Sequence, residues 1–347
     1  MANLEKVSTL SQVKEFSVSS ERRLYSATHE EILSGYTTDI YFIKTKEILE
    51  AMNLEDTVVS VDIFSRAAGI MAGLDECLGV LKGLDIEVFA LEEGTSFEEK
   101  DTIMKITGKY LDFGIFETVL LGILASSCGW ASAARNVRNV IPNKKFTCFG
   151  ARHVHPAVAP VMERAAILGG ADSASCILGA KIAGLEPRGT LPHAVFLIVG
   201  DTVEVAKVYD REMPKDEARI VLVDTFKDEC EETLRVAEAL GDKLTGIRLD
   251  TPGERGGVTP GLVKELRARL NQAGFENVKI LVSGGLTPDR IALLAEAGAD
   301  SFGVGSYISG APAIDMTMDI KVLNGKPIAK RGRIPGSIDN PKMIKVM

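Results

Sequence analysis

The chain is poor in residues that staple a fold, span a membrane or grip nucleic acid. Its five cysteines, Cys77, Cys128, Cys148, Cys176 and Cys230, are odd in number and widely spaced, with no C-x-x-C pair. That excludes a disulfide framework and a paired-cysteine zinc site, and leaves the thiols as small buried apolar side chains. No run approaches the roughly 18 apolar residues of a membrane span. The first 16 residues lack the apolar core of a signal peptide, so the expected location is cytoplasmic, with no membrane partner. Basic charge is also short: 40 Lys and Arg against 48 Asp and Glu give a formal net charge of -8. A phosphate backbone needs a basic face, so no nucleic-acid partner is expected. A small anion remains open, because a local cluster of Arg and glycine N–H groups can override net charge.

What is present is an ordinary globular composition, 46% hydrophobic and 25% charged, over 347 residues. That is enough for one large core or two moderate ones. After a polar lead-in over residues 1–20, the pattern to about residue 115 is mixed. Thr57–Phe64 and Glu87–Leu91 read as strands and Gly69–Leu81 as a helix. Residues 117–140 carry helical spacing as one long or broken helix. The rhythm then changes to short apolar runs at Lys145–Phe149, Arg219–Asp224, Gly246–Asp250, Val278–Ser283 and Ser301–Gly305. Helical patterns at 229–240, 260–274 and 288–298 separate the later runs. Strands alternating with helices of this length specify βα units and a parallel sheet. The expected architecture is α/β, an irregular or incomplete (β/α) barrel with its site at the strand C-termini; an open doubly wound sheet is the alternative. Asn324-Gly325 marks a hairpin within Thr317–Arg331 that does not continue the βα rhythm. It is expected to complete a discontinuous N-terminal α/β (α+β) domain, residues 1–115 with 316–347, leaving 116–315 as the barrel.

The candidate chemistry sits at the strand ends. Ser283-Gly284-Gly285 and Gly303-Val-Gly305-Ser306 close the last two strands, where backbone N–H groups can cradle a phosphate or simply make tight turns. Asp224, Arg248 and Asp250 end the two preceding strands. The carboxylates suit Mg²⁺ held through water, and the guanidinium suits an anion; alternatively Arg248 and Asp250, two residues apart on one strand face, neutralise each other. Gly169-Gly-Ala-Asp-Ser-Ala-Ser-Cys176 and Gly189-Thr-Leu-Pro-His193 bring a carboxylate, hydroxyls and a lone histidine to the ends of two short segments. His153 and His155 form an H-x-H pair without a third ligand of suitable spacing, so no zinc is expected.

Taken in order, several of these stretches resemble the nicotinate phosphoribosyltransferases, in the type II phosphoribosyltransferase group with the quinolinate and nicotinamide enzymes. The stretches are Thr38-Asp-Ile-Tyr41, Ala133-Ala-Arg135, Phe149-Gly-Ala-Arg152, Gly169–Ser175, Gly189–His193, Val223-Asp-Thr225, Arg248-Leu-Asp250, Ser283–Gly285 and Gly303–Ser306. The resemblance implies a homodimer or higher homo-oligomer with shared active sites. The implied reaction joins nicotinate to phosphoribosyl pyrophosphate, giving nicotinate mononucleotide and pyrophosphate, with Mg²⁺ and with ATP as co-substrate. By the same resemblance His193 is the phosphorylated histidine, and Phe149 stacks on the pyridine ring. Arg152 clasps the substrate, Asp172 lies near the ring, and Tyr41 stacks from the partner subunit. Asp224, Arg248 and Asp250 surround the ribose, the Mg²⁺-pyrophosphate and the phosphohistidine. Ser283, Gly284, Gly285, Gly303 and Gly305 form the 5′-phosphate cradle. The sequence departs from the pattern at Cys176, where many relatives have Asn, at Arg152-His153, where some have two arginines, and at Asp250-Thr-Pro-Gly253. The rival activities are those of the decarboxylating quinolinate enzyme and of the nicotinamide enzyme. A non-catalytic nucleotide-binding relative is the rival of a different class, which would have no use for His193.

Overall fold

The computed structural model describes residues 4–347, and the chain divides into two units, one ending at Ala131 and resuming at Pro312, the other Ser132–Ala311. The first unit opens with strands β1 (Val58–Ser65), β2 (Gly69–Ile70), β3 (Ile86–Ala90), β4 (Ser96–Phe97) and β5 (Thr102–Lys109). β1 and β3 flank β5, all antiparallel. Val59, Val61 and Ile63 alternate along β1 and are buried with Val88, Met104 and Ile106. The helix Leu74–Leu81 packs Leu74, Cys77 and Leu81 into the same core. The helix expected over Gly69–Leu81 thus begins five residues late. Gly69-Ile70 pairs with Ser96-Phe97 instead, and Gly73, at φ 93°, turns the chain into the helix.

The helix Glu117–Val140 is shared between the units: Leu120, Leu124 and Cys128 belong to the first core, and Ala134 and Val137 are buried farther on. The division therefore falls inside this helix rather than at residues 115–116. Together with the turns from Tyr110 it is the one helix, among the described residues, long and apolar enough to cross a membrane. Half of its most apolar window is nonetheless buried inside the protein. Reading by consecutive apolar residues missed it because Gly, Ser and Ala interrupt the run without making it polar.

The second unit carries β6 (Lys145–Cys148), β7 (Ser173–Ala174), β8 (Ile220–Leu222), β9 (Gly246–Leu249), β10 (Lys279–Val282) and β11 (Ser301–Val304). They form one parallel sheet in the order β7-β6-β11-β10-β9-β8. Parallel neighbours need long crossovers, and the intervening helices supply them. Asp228 caps Glu229–Leu240 by accepting from the Cys230 N–H at 3.0 Å, while Thr259-Pro260 starts Pro260–Gln272. Phe146, Val221, Ile247, Ile280 and Phe302 are buried. Because the strands are parallel, all their C-terminal ends lie along one edge of the sheet, where the loops gather.

The chain then returns to the first unit as β12 (Met316–Leu323), β13 (Lys326–Pro327) and β14 (Ile344–Lys345). β12 pairs antiparallel with β1, and Asn324 and Gly325, both at positive φ, form the tight turn into β13. β14 adds to the free edge of β3, giving the order β13-β12-β1-β5-β3-β14. Asp62, buried within β1, accepts from the Ser337 hydroxyl at 2.6 Å and the Ile338 N–H at 3.1 Å, which fastens the final segment to the sheet.

Glu117 in this unit carries an acid pushed up to about 7, first by burial and then by Asp319 and Asp39, with Lys330 opposing. A carboxyl whose folded value is raised holds its proton more tightly when folded. Its contribution to stability is full below the unfolded value and is lost as pH rises through the folded one. Thermal stability should therefore fall from pH 5 to pH 8, and Glu117→Gln should flatten that slope. Melting curves across the range check this; an unchanged slope in the variant would contradict it.

Candidate active site

Five of the six parallel strands deliver a candidate residue at or just beyond their C-terminal ends: Phe149 after β6, Asp224 after β8, Asp250 after β9, Ser283 after β10 and Gly305 after β11. A cavity of about 450 Å³ opens there, lined by Phe149, Arg152, His153, Ser175, Thr190, Arg248, Asp250 and the glycines of both closing turns.

Arg248 is the fixed cation of this cavity. Its Nε donates to the Ser283 hydroxyl at 2.8 Å, Nη1 to the Thr190 hydroxyl at 2.8 Å and Nη2 to Asp250 Oδ2 at 3.0 Å. Ser283 in turn donates to Asp250 Oδ1 at 2.8 Å. The guanidinium also lies 5.4 Å from the centre of the Phe149 ring, within cation–π range. Arg248 and Asp250 therefore do neutralise each other, and they do so while lining the cavity. Arg152 differs: it is exposed in the turn Ala151–His153 and makes no ion pair among the described residues. It is the cation left free for an anionic ligand.

His193 begins the helix His193–Val199, directly after Pro192, which lines the cavity. Its Nε2 lies 3.2 Å from Asp224 Oδ2. The Asp224 side chain is 1% exposed and that of His193 40%. Burial raises the Asp224 acid above its ordinary value, with His193 pulling it back down. Asp224 Oδ1 and the neighbouring Thr225 Oγ1 are buried without a hydrogen-bond partner. Buried polar atoms in this state mark a place for a ligand, ion or water.

The closing glycines serve geometry in two ways. Gly284 and Gly285 adopt φ of 91° and 56°, which lets the chain turn sharply after Ser283. Gly303 makes room for Phe149: a Cβ there would stand 2.3 Å from Phe149 Cε2, and one at Gly305 would stand 2.9 Å from the Phe149 carbonyl oxygen. Gly303→Ala should displace the ring, cost about 1–3 kcal/mol of stability by overpacking, and lower activity at least about tenfold. Melting temperature and turnover measured together check it.

Other expectations fall elsewhere. Asp172 lies outside this cavity. Its Oδ2 accepts from Arg138 Nη2 at 2.6 Å and the Phe146 N–H at 2.9 Å, at the start of β6 and β7 rather than their ends. It lines a separate cavity of about 280 Å³ that shares Phe149, Gly189 and Thr190 with the first. The Gly-Gly-Ala-Asp stretch by itself does not say which end of a strand Asp172 occupies, because β7 is only two residues long. Arg135 and Arg138 turn to the Gly169 and Gly170 carbonyls. His155 accepts from the Ala157 N–H at 3.1 Å, a turn contact, and no metal-binding group of three or more His, Cys, Asp or Glu occurs among the described residues. Tyr41 belongs to the first unit, exposed on the helix Ile40–Ala51. Sequence reasoning gave no role to Thr190 or Ser175, and passed over Glu163, the buried lone acid in the apolar helix Ala159–Gly169.

The mixed α/β fold, with one parallel and one antiparallel sheet, and the anion-suited cavity at the strand ends have counterparts among known proteins. The chain belongs to the quinolinate phosphoribosyl transferase family: residues 39–128 match its N-terminal domain and residues 130–319 its C-terminal domain. By family it falls in the type II phosphoribosyltransferase group. Among curated proteins it is 30% identical over 291 residues to nicotinate phosphoribosyltransferase pncB2 of Mycobacterium tuberculosis, covering 80% of this chain and 60% of that protein. The chain therefore spans about 60% of that relative's length, less than two thirds. The probable nicotinate-nucleotide pyrophosphorylase [carboxylating] of Methanothermobacter thermautotrophicus is 22% identical, covering 79% of this chain and 92% of that protein. Among solved structures, nicotinate-nucleotide pyrophosphorylase from Pyrococcus furiosus superposes with a TM-score of 0.87 at 42% identity, covering 91% of this chain and 82% of that one. Human nicotinic acid phosphoribosyltransferase gives 0.71 at 20% identity, covering 87% and 77%, which shows the fold alone.

Proposed function

We propose that the protein transfers the phosphoribosyl group of phosphoribosyl pyrophosphate to nicotinate, with ATP hydrolysis coupled through His193. The observation that carries this reading is the His193–Asp224 pair: a half-exposed imidazole aimed by a carboxylate buried behind it, beside the anion-suited cavity. With Nε2–H donating to Asp224, the lone pair remains on Nδ1, and a neutral imidazole attacks the γ-phosphorus of ATP competently. ADP leaves, water later cleaves the N–P bond, and the net change is ATP to ADP and phosphate. In the transfer itself the pyridine nitrogen of nicotinate bonds to the sugar carbon as the bond to pyrophosphate breaks. The carbon passes through an oxocarbenium-like state, so the protein's work is positioning and charge stabilisation. Phe149 supplies the aromatic wall, Arg152 takes the carboxylate, and the turns at Ser283–Gly285 and Gly303–Gly305 offer N–H groups to the 5′-phosphate.

Mg²⁺ fits a site of this kind. It binds through one or two carboxylates plus substrate phosphates and does not need an all-protein cage. Asp224, with its orphaned Oδ1, and Asp250 are the residues that would hold it, where it would neutralise the leaving pyrophosphate. The same reading takes the parallel sheet as an incomplete barrel with edges at β7 and β8, and the assembly as a homodimer in which Tyr41 reaches the partner's site.

Nicotinate should be preferred over nicotinamide by roughly a hundredfold in kcat/KM. An unmatched guanidinium at Arg152 costs on the order of 2–3 kcal/mol when an amide replaces the carboxylate. Equal turnover of the two would contradict the role given to Arg152. Decarboxylating transfer to quinolinate is the second reading, favoured by the name of the Pyrococcus furiosus structure. Against it stands the cation set of this cavity: among the described residues Arg152 is the arginine there without an ion pair, Arg188 lies in the adjoining cavity, and Arg138 is held by Asp172 and backbone carbonyls. The test is ADP formation by the purified protein. ADP should appear with nicotinate and phosphoribosyl pyrophosphate together, in step with nicotinate mononucleotide; product formation indifferent to ATP would overturn the coupling.

A further inference from the structure

Glu163 is a carboxylate with no exposure to solvent, outside the set that contacts the cavity, yet it is tied to two of the turns that build it. Its Oε1 accepts from the Ala151 N–H at 3.2 Å and the Ser175 hydroxyl at 2.9 Å, and its Oε2 accepts from the Cys176 N–H at 2.6 Å. The Gly150 backbone adds a further stabilising contact. One donor set follows β6 and carries Arg152; the other follows β7 and carries Ser175, and both residues line the cavity.

We propose that Glu163 is the positioning residue for Arg152, a buried acceptor that clamps the Ala151–His153 turn to the Ser175-Cys176 turn and so sets where the free guanidinium meets the substrate carboxylate. The inference rests on the reading of Arg152 as the carboxylate clamp. Every group facing Glu163 in this set is a donor, so the site is built for an acceptor with two oxygens. A buried charge without a cationic partner costs stability, and burial does raise the Glu163 acid above its ordinary value despite the donated bonds. Filling space would be done more cheaply by an apolar residue of that size. A carboxylate retained there is explained by what its bonds hold in place. The strands themselves tie only their own lengths: β7 is two residues long, pairs with β6 at Thr147–Ser173 and Cys148–Ala174, and is extended by the Ser175 N–H donating to the Cys148 carbonyl at 3.0 Å, whereas Glu163 reaches the turns beyond the strand ends.

The test is a double-mutant cycle read in KM, which does not depend on what fraction of the protein is folded. Glu163→Gln keeps the volume but turns one acceptor into a donor, and Glu163→Asp keeps the charge but shortens the reach. Each should raise the KM for nicotinate about tenfold while the KM for phosphoribosyl pyrophosphate stays within about twofold. In an Arg152→Ala background the same substitutions should leave the nicotinate KM within about twofold, because the clamp they position is gone. If one Glu163 variant does not yield folded protein, the other completes the cycle. Unchanged nicotinate KM, or an equal rise with and without Arg152, would overturn the positioning role. A wild type that consumes quinolinate and ignores nicotinate would instead overturn the functional reading, and the cycle would then be run on quinolinate.

Discussion

Asp250→Ala should lower kcat/KM about a thousandfold, the equivalent of roughly 4 kcal/mol. Asp250 is the acceptor that finishes two chains of contact. Without it the Arg248 Nη2 loses its partner and the Ser283 hydroxyl keeps only the longer bond to the Leu249 carbonyl at 3.3 Å, inside a cavity wall where the side chains of Arg248 and Asp250 are only 15% and 19% exposed. Removing one member of a largely buried pair costs about 3–5 kcal/mol, because the remaining charge is left uncompensated. Arg248 would then relax toward Thr190 or away from the Phe149 ring, and the wall that faces the sugar would lose its shape. Asp250→Asn keeps an acceptor for Ser283 and should retain more activity than the alanine variant. Steady-state kinetics with melting temperatures alongside would check the order; a loss under tenfold in well-folded Asp250→Ala would show that Asp250 is peripheral.

His193→Ala should abolish ATP-dependent stimulation while leaving slow ATP-independent synthesis. The cavity residues Phe149, Arg152, Arg248 and Asp250 do not rest on the imidazole, so substrate positioning survives its removal. With ATP labelled at its γ-phosphate, wild-type protein should take up label in an acid-labile, base-stable bond, as a phosphoramidate does. The alanine variant should take up none. Asp224→Asn should weaken labelling without erasing it, since it alters the partner of Nε2 but leaves the nucleophilic nitrogen in place. Phosphorylation would also add negative charge beside a cavity that holds two arginines, which favours one arrangement of the surrounding loops over another.

The second unit was easy to read because its signals are local and repeated. Five of the six parallel strands are short apolar runs ended by a residue with chemistry, so Asp224, Asp250, Ser283 and Gly305 could be placed at strand ends before any fold was known, while β7, only Ser173-Ala174, gave no such signal. Hairpin formation at Asn324-Gly325 was equally local. What escaped was whatever depends on distant partners. β5 (Thr102–Lys109) and β14 exist because β1 and β3 offer them edges, and Gly69-Ile70 pairs with Ser96-Phe97 rather than joining the helix that follows. Asp172, placed near the ring by the resemblance, precedes β7 and shares its cavity with Phe149, Gly189 and Thr190, a neighbourhood that no local signal reveals. The glycines at 303 and 305 are legible as a turn, but their debt to the Phe149 ring is visible only once β6 and β11 lie side by side. Glu163 gives a faint signal, a lone acid on an apolar helix, and its meaning comes from two turns that approach it from different strands.

The most direct measurement offers the purified protein phosphoribosyl pyrophosphate, Mg²⁺ and ATP with either nicotinate or carboxyl-labelled quinolinate, and follows pyridine mononucleotide and released CO₂ together. The account predicts nicotinate mononucleotide and pyrophosphate from nicotinate, with no CO₂ from quinolinate, because Arg152 is the guanidinium within this cavity that serves a carboxylate, while Arg188 lines the adjoining one. Release of CO₂ from quinolinate at a rate matching mononucleotide formation, with nicotinate left unconsumed, would contradict it.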